Sequence, residues 1–143
     1  MATKRTAHVS WRGSLIEGEG KIESVGSGAF GPLDVTWASR AEEPAGRTSP
    51  EELIAAAHAA CFSMALSSGL AKEGTPPEKL ETSATVTFVP GTGITAVALR
   101  VRGTVPGIDE AGFVELAEAA KAGCPVSKAL AAVPEITLDA ALA

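Results

Sequence analysis

From Leu53 to Leu66 the chain carries no formal charge on any face, and Ser49-Pro50-Glu51-Glu52 stands just before this segment. Ser49 can cap a helix, Pro50 fits a first turn, and Glu52 completes a capping box. The pattern predicts a helix from about Pro50 to about Lys72 that stops near Gly74. A helix that is apolar all round is buried all round, so something must wrap it. The uncharged segment, which contains His58, Cys61 and Ser63, is shorter than the roughly 20 residues of a bilayer span. It therefore reads as a core helix.

The wrapping elements are legible on both sides. Val9 and Trp11 alternate with polar neighbours, as do Leu33, Val35 and Trp37, and glycines punctuate the runs between Gly18 and Gly31. Two or three antiparallel strands with glycine turns follow from this. After Pro76-Pro77, Thr82 to Val89 and Ile94 to Val105 alternate around Pro90-Gly91-Thr92-Gly93, which predicts a hairpin. Asp109 caps a second helix with Phe113, Leu116, Ala117 and Ala120 on one stripe and Gly123 at its end. Cys124-Pro125 opens a short third helix, Val126 to about Ala132, and Ile136 to Leu142 suggests a closing strand. The class is α+β, and 143 residues suit a single domain spanning 1–143. Trp11, Trp37, Phe62, Met64 and Phe88 are most simply core, and some of them can line a ligand pocket.

A net charge of −5 with no cluster of Lys or Arg argues against nucleic acid or an anionic membrane surface as the main partner. Residues 1–20 mix charges without an apolar run, so no secretory signal is visible and the cytoplasm is the expected compartment. In a reducing cytosol, two cysteines rarely form a permanent bridge. Cys61 by itself reads first as a small buried hydrophobe of the apolar helix. Cys124 reads as a plain cap or as a thiol whose pKa falls beside unpaired backbone N–H groups. The cysteines and the two histidines lack metal-ligand spacing. A redox pair is the furthest these residues lead alone.

Ser49-Pro50-Glu51-Glu52-Leu53-Ile54-Ala55-Ala56-Ala57-His58-Ala59-Ala60-Cys61-Phe62-Ser63 closely resembles a signature of the OsmC/Ohr family of organic hydroperoxide-reducing peroxidases. Ala122-Gly123-Cys124-Pro125-Val126-Ser127 and Val105-Pro106-Gly107-Ile108-Asp109 match as well, and the likeness runs in order over nearly the whole chain. His58 and the Val105–Asp109 segment make it look like the OsmC branch.

The resemblance implies antiparallel sheets wrapped around a long central helix in an intertwined homodimer. It implies that Cys61 attacks the peroxide, that Cys124 resolves the sulfenic acid, and that no cofactor is needed beyond an external reductant, a dihydrolipoyl group or a small thiol. It also assigns Arg40 as the cation that keeps Cys61 charged and Glu51 as the carboxylate that fixes Arg40. Arg47 in the same loop is a rival, and Glu51 is also an ordinary first-turn helix charge. Ten helical residues place Glu51 about 15 Å along the axis from Cys61, so the expectation is that Arg40 and Glu51 serve Cys61 of a second subunit. His58 is expected to pack or to make an interface hydrogen bond. A non-enzymatic redox sensor or small-ligand carrier is the alternative on the same fold. A hydrolytic thiol enzyme using Cys61 and His58 is less well supported, because no acid stands beside His58 to orient it.

Overall fold

A computed structural model describes all 143 residues, which divide into two compact units, Met1–Leu53 and Ile54–Ala143. In the first, strands β1 (Ala7–Arg12), β2 (Glu19–Val25) and β3 (Leu33–Val35) form an antiparallel sheet in the order β1-β2-β3. The glycine at position 20 has a packing reason. It pairs with Trp11 across the β1–β2 ladder, and a Cβ there would stand 2.6 Å from the indole ring. Trp11 therefore lies over a bare backbone.

The alternation of Leu33, Val35 and Trp37 does not continue as a strand. Trp37–Ala41 is a short helix, α1, because Thr36 and Ser39 close a capping box. The Thr36 hydroxyl accepts from Ser39 N–H at 3.0 Å, and the Ser39 hydroxyl accepts from Thr36 N–H at 3.0 Å. That box turns the chain into a helix after β3 and sets Arg40 on it.

Helix α2 runs Pro50–Lys72, as its sequence predicts, with Ser49 Oγ accepting from Glu52 N–H at 3.2 Å. At 23 residues it is long and apolar enough, by length and composition, to cross a membrane, so the argument from segment length does not hold for the whole helix. Within the second unit it behaves as a core helix. His58, Phe62, Leu66 and Leu70, spaced four apart, form its buried stripe. The expectation of burial on every face is not met inside one chain. Met64 is 73 % exposed, and Ala56, Ala57, Ala60 and Ser68 are exposed too.

The second unit adds β4 (Lys79–Val89), β5 (Gly93–Thr104), α3 (Glu110–Gly123), α4 (Pro125–Ala129) and β6 (Glu135–Leu142), with sheet order β4-β5-β6. The β4–β5 hairpin is antiparallel, but β6 joins β5 in parallel, which the crossover through α3 and α4 permits. Asp109 caps α3, accepting from Gly112 N–H at 2.8 Å. Phe62, Leu66 and Leu70 meet Leu99 and Val101 of β5 and Phe113, Ala117 and Ala120 of α3 in one core that also holds Cys124. Of the other expected core residues, Trp37 and Phe88 are half-buried, and Trp11, like Met64, is exposed, at 42 %.

Gly103 lies under the Phe113 ring, where a Cβ would fall 2.6 Å from two ring carbons. Gly103→Ala should lower the unfolding free energy by about 1–3 kcal/mol, read as a lower urea midpoint with an unchanged slope. Adding Phe113→Leu to Gly103→Ala should recover part of the loss.

Candidate functional site

The four sequence-predicted site residues fall into two pairs, one in each unit. In the first unit, Arg40 on α1 meets Glu51 in the opening turn of α2. Arg40 Nε donates to Glu51 Oε1 and Oε2 at 2.9 and 3.1 Å, and Nη2 donates to Oε1 at 2.7 Å. Glu51 is buried, so its charge has left water and is compensated by this fork. Glu52, one residue on, takes the hydroxyl of Thr48 at 2.9 Å and remains a surface helix-start charge. Arg47 does not share the Glu51 carboxylate. It borders a polar surface cleft beside Lys21 and Asp34. Arg40 instead stands at the wall of a mainly apolar cavity of about 330 Å³, lined by Val9, Trp11, Ile22, Trp37 and Leu53 among others.

In the second unit, α2 supplies Cys61, and the break between α3 and α4 supplies Cys124. Both are free thiols, Cys124 fully buried and Cys61 half-buried, and Cys61 packs against the cluster that contains Cys124. The α3 helix stops because Pro125 cannot continue its hydrogen-bond ladder, and Pro125 then opens α4 with Cys124 as its N-cap. One residue thus ends one helix and starts the next. This holds its sulfur over the core.

The thiols interact with each other and are driven in opposite directions. Burial pushes Cys61 up, and the neighbouring Cys124 adds to the rise, while the Val126 N–H pulls the other way. For Cys124, burial also acts to raise the pKa. It is outweighed by the Ser127 N–H, by Cys61, by the Val126 N–H and by the Ser127 hydroxyl, so the thiol ends below its ordinary value. These groups favour the thiolate although no well-aligned capping hydrogen bond closes on the sulfur. Within the pair, ionisation is therefore easier at Cys124 than at Cys61.

Sequence reasoning did not find Ser127 as part of the site. It is the third residue of α4, buried, and 2.7 Å from Nε2 of the buried His58. The one available signal was its place in the first turn of the helix that Cys124 caps. His58, one turn before Cys61, was expected to pack or to make an interface hydrogen bond, and the structure buries it against the Ser127 hydroxyl of its own chain.

Each unit of this α+β scaffold has one chemistry-bearing feature, which defines a class of thiol-bearing proteins: an apolar cavity walled by a fixed guanidinium in the first, and two neighbouring free thiols, Cys124 buried and Cys61 half-buried, in the second. The particular family follows from comparison. Residues 43–139 match the family model described as OsmC-like protein. The chain is 43 % identical over 142 residues to Peroxiredoxin OsmC of Escherichia coli K12, covering 97 % of this chain and 96 % of that protein. Solved structures of similar fold include OhrB, the organic hydroperoxide resistance protein of Bacillus subtilis, at 27 % identity, TM-score 0.65 and coverage of 96 % and 98 %. An organic hydroperoxide resistance protein OsmC from Legionella pneumophila superposes with TM-score 0.71 at 24 % identity and coverage of 95 % and 96 %. The chain belongs to the OsmC family.

Titrating thiolate ultraviolet absorbance should resolve two steps, one below and one above the ordinary cysteine range. Cys124→Ala should abolish the lower step. It should also bring the upper step down, because Cys61 keeps its burial but loses its anionic neighbour.

Proposed function

We propose that the protein is a thiol-dependent peroxidase that reduces organic hydroperoxides to alcohols. The single observation that carries the reading is the contact of Cys61 with Cys124, since two thiols in bonding reach can convert a sulfenic acid to a disulfide before it is overoxidised. Cys61, as thiolate, attacks the terminal peroxide oxygen. The S–O bond forms, the O–O bond breaks, and the alkoxide that leaves takes a proton to become the alcohol. Cys124 then attacks the Cys61 sulfenic acid, and the expelled hydroxide is protonated to water. An external dithiol, a dihydrolipoyl group or a small thiol, reduces the Cys61–Cys124 disulfide. No cofactor enters the cycle.

Because Cys61 is raised in the resting pair, the attack needs a cation to shift the proton off it. Arg40, held by Glu51 and bordering an apolar cavity, has the charge, the fixed geometry and the setting for that work. The cavity suits an alkyl or fatty-acid tail, whose burial contributes roughly 0.8 kcal/mol per CH₂. In this reading the protein is a cytoplasmic homodimer with its sites at the subunit interface, and Arg40 and Glu51 of one subunit serve Cys61 of the other. The uncovered face of α2 around Met64 supports that assembly. One observation favours a second reading: a raised Cys61 suits a sensor that is oxidised once and signals, rather than a catalyst.

Loss of cumene hydroperoxide with a dihydrolipoyl reductant separates the two. Turnover should be sustained, and Cys61→Ser should lower kcat/KM by at least about a thousandfold. Mixing Cys61→Ser with Arg40→Ala protein should restore part of the activity. Consumption limited to one equivalent would leave the sensor standing, and an active Cys61→Ser protein would remove Cys61 as nucleophile.

A further inference from the structure

Helix α4 is five residues long, too short to hold its own place, so its position depends on what it buries. Ser127 is its one buried residue, and the hydroxyl meets a ring nitrogen rather than an apolar surface. His58 Nε2 lies 2.7 Å from Ser127 Oγ, with the histidine 0 % and the serine 8 % exposed. The bond joins the two elements that carry the thiols, three residues from each sulfur: His58 and Cys61 on α2, Ser127 and its N-cap Cys124 at α4. We propose that this bond is a clamp that holds Cys124 against Cys61, which makes His58 and Ser127 positioning residues for the step that forms the disulfide.

The Cys124 backbone is tied to its own neighbours in sequence, its N–H donating to Ala120 O at 2.8 Å and its carbonyl accepting from Lys128 N–H at 3.0 Å. Those bonds set the corner between α3 and α4 and leave its distance from α2 to side chains. Val126 packs against the core, but an apolar contact has no preferred direction. A hydrogen bond weakens steeply as its geometry departs from the optimum, so it fixes a distance that packing alone does not. It does so whichever partner donates, since a neutral imidazole nitrogen and a hydroxyl can each give or accept. The pair is also costly for a core, because Nδ1 of His58 is buried with no partner, a loss that a leucine at this position would not carry. Stability alone favours an apolar pair here. Placement favours a directional one.

The clamp rests on the two-thiol reading above. The step it governs is Cys61–SOH plus Cys124–S⁻ giving Cys61–S–S–Cys124 plus OH⁻. The S–S bond forms as the S–O bond breaks, Cys124 is oxidised, the sulfenic sulfur is reduced, and the hydroxide takes a proton from solvent. Such a displacement needs the attacking sulfur held close and in line, and a misplacement of about 1 Å costs on the order of a hundredfold in rate. Attack on the peroxide uses Cys61 and not Cys124, so it precedes the clamped step and does not need the bond.

The test follows the two phases separately. Reduced protein is mixed with one equivalent of cumene hydroperoxide and quenched at intervals with a 1,3-dione that traps sulfenic acid. Intact mass then counts thiol, trapped sulfenate and disulfide. In Ser127→Ala, in His58→Leu and in the double variant, sulfenate should form at the wild-type rate and convert to disulfide about ten- to a hundredfold more slowly. The double variant should be no slower than the slower single one, because both changes remove the same bond. His58→Gln, whose amide can donate or accept, should recover most of the lost rate. Urea unfolding of the reduced proteins separates placement from stability. Ser127→Ala leaves both ring nitrogens unpaired and the double variant leaves neither, so the double variant should have the higher midpoint while its conversion stays slow. Ser63→Ala is the control: it removes a 2.7 Å bond from α2 to Thr82 of β4 and should lower the midpoint with conversion unchanged. Should His58→Leu and the double variant fail to fold, Ser127→Ala against Ser63→Ala carries the same expectation. Wild-type conversion in Ser127→Ala, rates that follow the midpoints across the series, or a His58→Gln protein as slow as His58→Leu would overturn the clamp while leaving the peroxidase reading intact. A wild type that accumulates sulfenate and forms no disulfide overturns both.

Discussion

The placement of the buried thiol depends on one local interruption. At Cys124-Pro125, the chain ends α3 and begins α4 with the same residue, because proline stops the first helix and fits the first turn of the second. A sulfur that would otherwise lie along a helix is instead fixed at a corner, in the core cluster against which Cys61 of α2 packs. Pairing two thiols inside an apolar core makes their protons unequal. Burial and the neighbouring Cys124 raise the pKa of Cys61, and the first-turn N–H groups of α4, with Cys61, lower that of Cys124. In the proposed cycle the pair favours the resolving thiol, and the attack by Cys61 calls for a cation.

The first unit holds a fixed cation of its own. Arg40 is placed by the Thr36–Ser39 box, and its direction is set by Glu51, a buried carboxylate whose burial is tolerable only with the guanidinium in place. Helix α2 carries Glu51 in its opening turn and Cys61 near its middle. One stripe of it, through Phe62, Leu66 and Leu70, is sealed by β5 and α3, whereas the face bearing Met64 is not covered by its own chain.

Much of this was legible in the sequence. Ser49, Pro50 and Glu52 fixed where α2 starts, Asp109 capped α3, and alternation marked the β4–β5 hairpin, all of them local signals that tertiary packing did not override. The family segments around Cys61 and Cys124, and the Arg40–Glu51 pair, were named before any geometry. What stayed hidden was non-local or masked by pattern. Trp37 completed an apparent alternation that Thr36 and Ser39 break by capping. The parallel pairing of β6 depends on how α3 and α4 cross over. Absence of charge on α2 was read as burial on every face, yet a helix can be apolar because another chain will cover it, and Met64 and Ala60 stand open here. The bond between His58 and Ser127 spans 69 residues, which no local pattern encodes.

The central claim, that Cys61 and Cys124 of the same chain are within bonding reach, is tested most directly by isotope-mixed disulfide mapping. Equal amounts of ¹⁵N-labelled and unlabelled protein are mixed, oxidised with one equivalent of hydroperoxide, and digested without reduction. The account predicts Cys61–Cys124 peptides that are wholly labelled or wholly unlabelled. Mixed-label linked peptides, or an oxidised Cys61 with Cys124 still a free thiol, would contradict it.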